Sequence, residues 1–313
     1  MIAPPSLRSG DTIAIVPTAR AITQAELTDG MALAESWGLK VKLGNCIGRK
    51  HFQQAGTDEE RAADLQRAID DPAVRAIWCG RGGYGTVQLL DRIDLDRLKK
   101  DPKWIIGFSD VTALHNALHR TGIRSLHAQM PFNIAGKSEA SRKGLRKILF
   151  GEPAPIHVQK HGSMQHDLDR NGEAEGILVG GNLSVLYSLR GTPFDIDPKG
   201  KILFLEDLDE LLYHVDRMVQ NLKLAGWFRD LAGLIVGGMS DMRNKNEADP
   251  FGRSAEEIIS DALGAVNYPV CFGFPAGHID DNGPLMLGAP MRLSVTDREI
   301  RLEPAGQFFS KRL

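Results

Sequence analysis

Trp104-Ile105-Ile106-Gly107-Phe108-Ser109-Asp110-Val111-Thr112 is the stretch on which the fold turns. An apolar run of strand length passes into a small polar turn. Residues 111–119 then take up helical spacing as far as Gly122, where a helix-ending glycine is expected. The same alternation recurs upstream. Thr12–Val16 has the character of a buried strand, and residues 25–37 form a helix closed by Gly38. Thr57-Asp58-Glu59-Glu60 is a capping box that opens a helix through Ile69, and Val74–Cys79 is a further strand. Strands that alternate with helices predict a mostly parallel sheet covered on both faces, an α/β fold.

Residues 151–173 break the pattern with a polar run that carries two prolines and the histidines His157, His161 and His166. Beyond it the alternation resumes: a strand at 177–179, a helix at 182–189, a strand at 202–205 and a long helix from about Glu210. In that helix Leu211, Val215, Met218, Leu222 and Ala225 recur at helical spacing. A strand at 234–236, a helix over Ala255–Leu263, a strand at 270–273 and short alternating runs at 291–295 and 300–302 come next, the last two of antiparallel type. The expected organisation is therefore two lobes: 1–150 with a mostly parallel sheet, 151–173 as a linker, and 174–313 as an α/β lobe with some antiparallel strands.

Composition narrows the function classes. The 313 residues carry 38 basic and 40 acidic side chains, a net charge of -2. Nucleic-acid proteins usually show a basic excess, and membrane-surface proteins a polybasic segment, so neither partner is expected. No apolar run approaches the ~18 residues that span a bilayer. Pro4, Pro5 and Asp11 stand where a signal peptide would need a basic region and an apolar core. Cys46, Cys79 and Cys271 are too few and too scattered for a disulfide framework or a zinc knuckle. A soluble cytoplasmic protein without cofactor or metal is the expectation.

Four segments could carry chemistry. Ser109 sits where a parallel strand ends and a helix begins, the edge at which open α/β sheets bind ligands. It could be a nucleophile on a strand–turn–helix elbow, or Ser109 and Asp110 could simply cap the helix. Val111 stands where a G-x-S-x-G elbow has its second glycine. Gly80-Arg81-Gly82-Gly83-Tyr84-Gly85 formally satisfies G-x-G-x-x-G, the pattern of a nucleotide-dependent oxidoreductase, although no well-placed acid comes after it. Those glycines could equally let backbone N–H groups approach an oxyanion. Glu206 and Asp207 end a buried strand, where a carboxylate can orient a histidine. His278 lies in a loop after another strand, placed to act as a general base or to be an ordinary surface histidine. The order Ser109, Glu206, His278 is one that hydrolytic triads use. His115 and His119 have the i, i+4 spacing of a zinc helix, but Asn116 replaces the glutamate base, which argues against a metal.

Taken in order, Ile13-Ala14-Ile15-Val16-Pro17, Arg81-Gly82-Gly83-Tyr84-Gly85, Gly107-Phe108-Ser109-Asp110, Gly180-Gly181-Asn182-Leu183-Ser184, Leu205-Glu206-Asp207, Asp216-Arg217 and Gly277-His278 resemble the LD-carboxypeptidase family of serine peptidases. That family includes murein tetrapeptide carboxypeptidases and microcin C self-immunity peptidases. The resemblance implies a Ser109–Glu206–His278 triad and an oxyanion hole from the N–H groups of Gly83 and Asp110. It also implies two α/β lobes, a murein-type peptide as substrate, a cytoplasmic location and a homodimer. Arg81 is a candidate for the substrate carboxylate by its position. Pro17-Thr18-Ala19 and Ile279-Asp280-Asp281 depart from the family pattern and bear on pocket shape. Cleavage of a peptidyl-nucleotide amide is the alternative within the family, and a non-catalytic binding module the alternative outside enzymes.

Overall fold

The computed structural model describes residues 1–160 and 167–306. His161 and His166 lie outside the described residues. In chain order the strands are β1 (Thr12–Val16), β2 (Lys40–Leu43), β3 (Val74–Cys79), β4 (Trp104–Gly107), β5 (Ser125–His127), β6 (Ile156–Gln159), β7 (Gly172–Asn182), β8 (Ile202–Leu208), β9 (Gly233–Ser240), β10 (Val270–Cys271), β11 (Leu285–Leu287), β12 (Pro290–Val295) and β13 (Glu299–Pro304). The helices are α1 (Thr28–Ser36), α2 (Asp58–Asp70), α3 (Arg97–Lys100), α4 (Thr112–Thr121), α5 (Glu139–Leu149), α6 (Leu183–Ser188), α7 (Leu212–Leu224) and α8 (Ala255–Leu263). The chain is an α/β protein of two compact units, Met1–Ala154 with Asp280–Ala289, and Pro155–Ile279 with Pro290–Gly306. No helix among the described residues is long and apolar enough to cross a membrane.

The sheet of the first unit runs β2-β1-β3-β4-β5-β11. β1 through β5 pair in parallel, and β11 closes the edge antiparallel to β5. β1 beyond Thr12, and all of β4, are buried, as continuous apolar runs must be when helices cover both faces of a sheet. α2 begins at a complete capping box, Thr57 with Glu60, and α4 ends at Gly122 in the left-handed conformation. α1 starts later than its spacing suggests, because residues Ala25–Leu27 form a 3₁₀ turn first.

In the second unit the order is β10-β9-β8-β7-β12-β13-β6. β10, β9, β8 and β7 are parallel, while β12, β13 and β6 add antiparallel strands, as the alternating tail predicts. β7 does both jobs. Its first half pairs with β12 and its second half with β8, which is why it outruns the short strand expected at 177–179. The core of this unit gathers Leu203 and Leu205 of β8, Val215, Met218, Val219 and Leu222 of α7, and Ile258 and Ile259 of α8. In both units the parallel strands deliver their loops to one carboxyl edge; Gly83, Ser109 and His278 lie in such loops, while Glu206 lies near the end of β8 itself, which runs past the expected strand end at 205.

Candidate active site

Ser109 leaves β4 through Phe108, whose backbone is extended, and opens a 3₁₀ turn, Ser109–Val111, that leads into α4. Its φ is +63°, a left-handed conformation that is costly for any residue with a Cβ. Strain of this kind persists only where the surroundings over-determine it, and it gathers at functional positions. The glycine loop after β3 meets this turn directly. A Cβ on Gly82 would lie 3.3 Å from Ser109 Oγ, so glycine lets the backbone approach the hydroxyl.

A buried network backs the turn. Asp110 is 3% exposed, and its Oδ2 accepts a hydrogen bond from Thr86 N at 2.8 Å. Burial raises the Asp110 carboxyl above its ordinary range, against the hydrogen bonds from Thr86 and Gly85. Thr86 Oγ1 in turn donates to Thr18 Oγ1 at 3.0 Å. Arg61 of α2 is fully buried and donates to the carbonyls of Thr18 and Gly85 at 2.5 and 2.9 Å, and to Asp58 and Gln88 at 2.5 and 2.9 Å. It ties the loops after β1 and β3 together. Sequence reasoning missed it, although a signal exists: Arg61 shares the buried face of α2 with Leu65, Ala68 and Ile69. His115 is likewise a framework residue. Its Nε2 meets Gly107 O at 2.9 Å and its Nδ1 meets Ser125 Oγ at 2.8 Å. Burial pushes its pKa down to about 4, so the ring is neutral near pH 7.

Gly80–Gly85 does not continue into an α-helix. A 3₁₀ turn, Thr86–Leu89, comes directly after it. The helix N-terminus on which a dinucleotide fingerprint seats its pyrophosphate is therefore missing at this loop, which corrects the oxidoreductase reading. Arg81 packs its guanidinium 4.1 Å from the Phe132 ring centroid, donates to Ala21 O at 3.3 Å and pairs with Glu26 at 3.7 Å.

In the second unit the structure brings Glu206 and His278 together. His278 Nδ1 lies 2.6 Å from Glu206 Oε2, and Glu206 is fully buried. Glu206 stands where β8 shifts register against β9, between Leu205 and Asp207. Such irregularities re-aim side chains near sites. Gly277 has φ +104°, and a Cβ there would fall 2.8 Å from Glu206 Oε2. Ser240 Oγ donates to His278 O at 2.8 Å and anchors the loop. Asp207 accepts hydrogen bonds from Asn182 Nδ2, Leu208 N and Ser184 N at 2.9, 2.8 and 2.9 Å. Burial, and then the charge of Glu206 beside it, push the Asp207 carboxyl up to about 7 against those donors. Asp207 thus braces the end of β8 from α6 and β7, a role that its sequence position does not reveal.

Residues 13–128 match the LD-carboxypeptidase N-terminal domain, and residues 175–293 match the LD-carboxypeptidase C-terminal domain. A protein of Bacillus subtilis (strain 168) named "Probable murein peptide carboxypeptidase" is 35% identical over 307 residues, which are 96% of this chain and 94% of the relative. The muramoyltetrapeptide carboxypeptidase from Oxalobacter formigenes superposes with a TM-score of 0.84 at 27% identity, over 96% of this chain and all of that one. The microcin C7 self immunity protein MccF, in complex with aspartyl sulfamoyl adenosine, superposes with a TM-score of 0.86 at 22% identity, over 99% of this chain and all of that one, and so shares the fold.

Proposed function

The chain belongs to the LD-carboxypeptidase family and is a serine carboxypeptidase-type hydrolase; from that premise we propose that it releases terminal D-alanine from murein tetrapeptides, with Ser109 as nucleophile. Ser109 Oγ attacks the carbonyl carbon of the amide that joins the L-centre of a diamino acid to D-alanine. As the C–O bond forms, the hydroxyl proton passes to His278. The N–H groups of Gly83 and Asp110 hold the oxyanion, at ~3 kcal/mol for each such donor. Collapse breaks the C–N bond, and His278 returns its proton to the leaving amine. Water repeats the sequence on the acyl-enzyme. Glu206 fixes the imidazole with its Nδ1 committed, so that Nε2 handles the proton, and it stabilises the charged ring.

The observation that carries this reading is the 2.6 Å contact between His278 Nδ1 and Glu206 Oε2 at the carboxyl end of the parallel strands of the second unit. The strained backbone of Ser109, in contact with the glycine loop, supports the nucleophile's role. The cytoplasmic location and homodimer implied by the resemblance belong to the same proposal. The test is Ser109→Ala: kcat for D-alanine release is expected to fall by ~10⁴-fold or more, with the fold retained. A mutant that releases D-alanine at the wild-type rate would sink the assignment. Faster turnover of an aminoacyl-sulfamoyl adenylate than of the tetrapeptide would move the substrate to the peptidyl-nucleotide class.

A further inference from the structure

The strand order β2-β1-β3-β4-β5 reverses direction between β1 and β3. In open α/β sheets the crevice outside the carboxyl ends at such a switch point is where ligands bind. Here a cavity of about 520 Å³ opens there, lined from the loops after β1, β2 and β3. Its walls include Arg20, Arg49, Lys50 and Arg81; Glu26 in the lining pairs with Arg81 at 3.7 Å, and Glu60 beyond the lining pairs with Arg49 at 2.6 Å, which leaves the positive side chains in excess by two. That is a concentration of positive charge in a chain whose net charge is -2. Hydrogen bonds from Thr23, and then Arg81, hold Glu26 below the usual carboxylate range, so it is ionised and already committed.

Phe52 adds an independent sign. It lines the same cavity and is 83% exposed, at a φ of +53°. The hairpin that presents it is tied by backbone hydrogen bonds: His51 and Gln54 exchange a pair, Ala21 N donates to Gln53 O, and Gly48 N donates to Ile22 O. A large aromatic side chain held out on strained backbone beside a charged cavity is a recognition surface. The cavity also adjoins the proposed nucleophile within one unit. Arg81 precedes Gly82, which faces Ser109 Oγ, and the stem of Arg20 lies over Gly83.

We propose that this pocket seats the anionic, non-scissile arm of the substrate, a group that bears two or more carboxylate or phosphoryl charges, with Phe52 packed against its apolar part. The inference rests on the peptidase reading for what the arm is attached to. With Glu26 and Glu60 set against the four cations, an excess of two positive charges remains, which one anionic group halves and two neutralise.

The test is calorimetric titration of wild-type protein and of the Arg49→Ala/Lys50→Ala double variant with tricarballylate, pyrophosphate and propionate. At least one polyvalent anion is expected to bind wild type ~10-fold or more tightly than propionate, more weakly at high salt, and ~10-fold or more weakly to the variant. The tighter of the two names carboxylate or phosphoryl as the source. Binding no stronger than that of propionate, or unaltered in the variant, overturns the proposal. This readout uses no turnover, so it stands or falls apart from the peptidase reading. If wild type does release D-alanine, amidating the non-terminal carboxylates of the tetrapeptide should raise KM by ~10-fold with kcat little changed, and the variant should lose that discrimination.

Discussion

The Ser109 turn and the Glu206–His278 pair are held under strain of two different kinds. At Ser109 the main cost is conformational: a Cβ-bearing residue at φ +63°, braced by His115 on Gly107 O and by the buried Asp110 carboxyl on Thr86 N. At Glu206 the cost is electrostatic, because two adjacent carboxyl side chains are buried at 0% and 1% exposure. The first is a fixed property of the backbone; the second changes with protonation. Each should therefore be relieved by its own type of substitution and respond in its own way to pH.

Among the tests that set one region against the other, Glu206→Gln has the largest expected effect. The amide oxygen can still accept from His278 Nδ1, but the charge that stabilises an imidazolium is gone. kcat/KM for D-alanine release should fall by ~10³–10⁴-fold. Stability should not fall, and should rise by about 1 kcal/mol at pH 7 or above, because the like charge beside Asp207 is removed. Urea unfolding alongside the kinetics checks both. A destabilised variant would mean that the carboxylate is structural, and the contrast between the two regions would collapse.

Acid should separate the regions next. His115 has a folded pKa lowered from 6.5 to about 4, so the folded state binds fewer protons than the unfolded state between those values. Its contribution is complete above pH 6.5 and is lost as pH falls toward 4, up to about 3 kcal/mol in all. Asp207 has a folded pKa raised from 3.8 to about 7, so its side gains stability as pH falls through the same window. Segment-resolved hydrogen exchange at pH 7 and pH 5 should show protection falling where His115 of α4 meets β5, while it holds or rises around β8; the buried Asp110 carboxyl, raised like that of Asp207, opposes the fall at the start of α4. Uniform loss in both regions would contradict the opposed signs.

Legibility in the sequence divides between local runs and long-range contacts. β1, β3 and β4 announce themselves because each is a buried apolar run on its own, and Ser109, Glu206 and His278 stand out because each comes just after such a run. β5 does not, because its three residues are a strand only through β4 on one side and the distant β11 on the other. The polar bracing was hidden for a related reason. Asp110 has the composition of a helix cap, yet its carboxylate reaches Thr86, and Arg61 looks like any helix arginine until the loops it bridges are folded against it. The loop at Gly80–Gly85 has the spacing of a nucleotide motif, but the 3₁₀ turn after it is set by packing around Thr86–Leu89, outside the motif itself. Local patterns therefore locate loops at sheet edges, while the contacts that aim those loops are long-range.

The smallest effect tests the conformational half directly. Ser109→Ala and Ser109→Gly both remove the nucleophile, so both should be inactive, and both lose whatever the hydroxyl contributes. They differ in the Cβ. At an ordinary loop position alanine is the more stable of the two, because glycine has more freedom to lose on folding. At φ +63° the order should invert, since the left-handed region costs a Cβ-bearing residue roughly 1–2 kcal/mol that glycine avoids. Ser109→Gly should therefore be about 0.5–1 kcal/mol more stable than Ser109→Ala in a paired urea titration at constant pH. The usual order, with alanine ahead, would show that the turn relaxes once the hydroxyl is gone, and that the side chain, rather than the buried network behind it, is what holds Ser109 in its strained conformation.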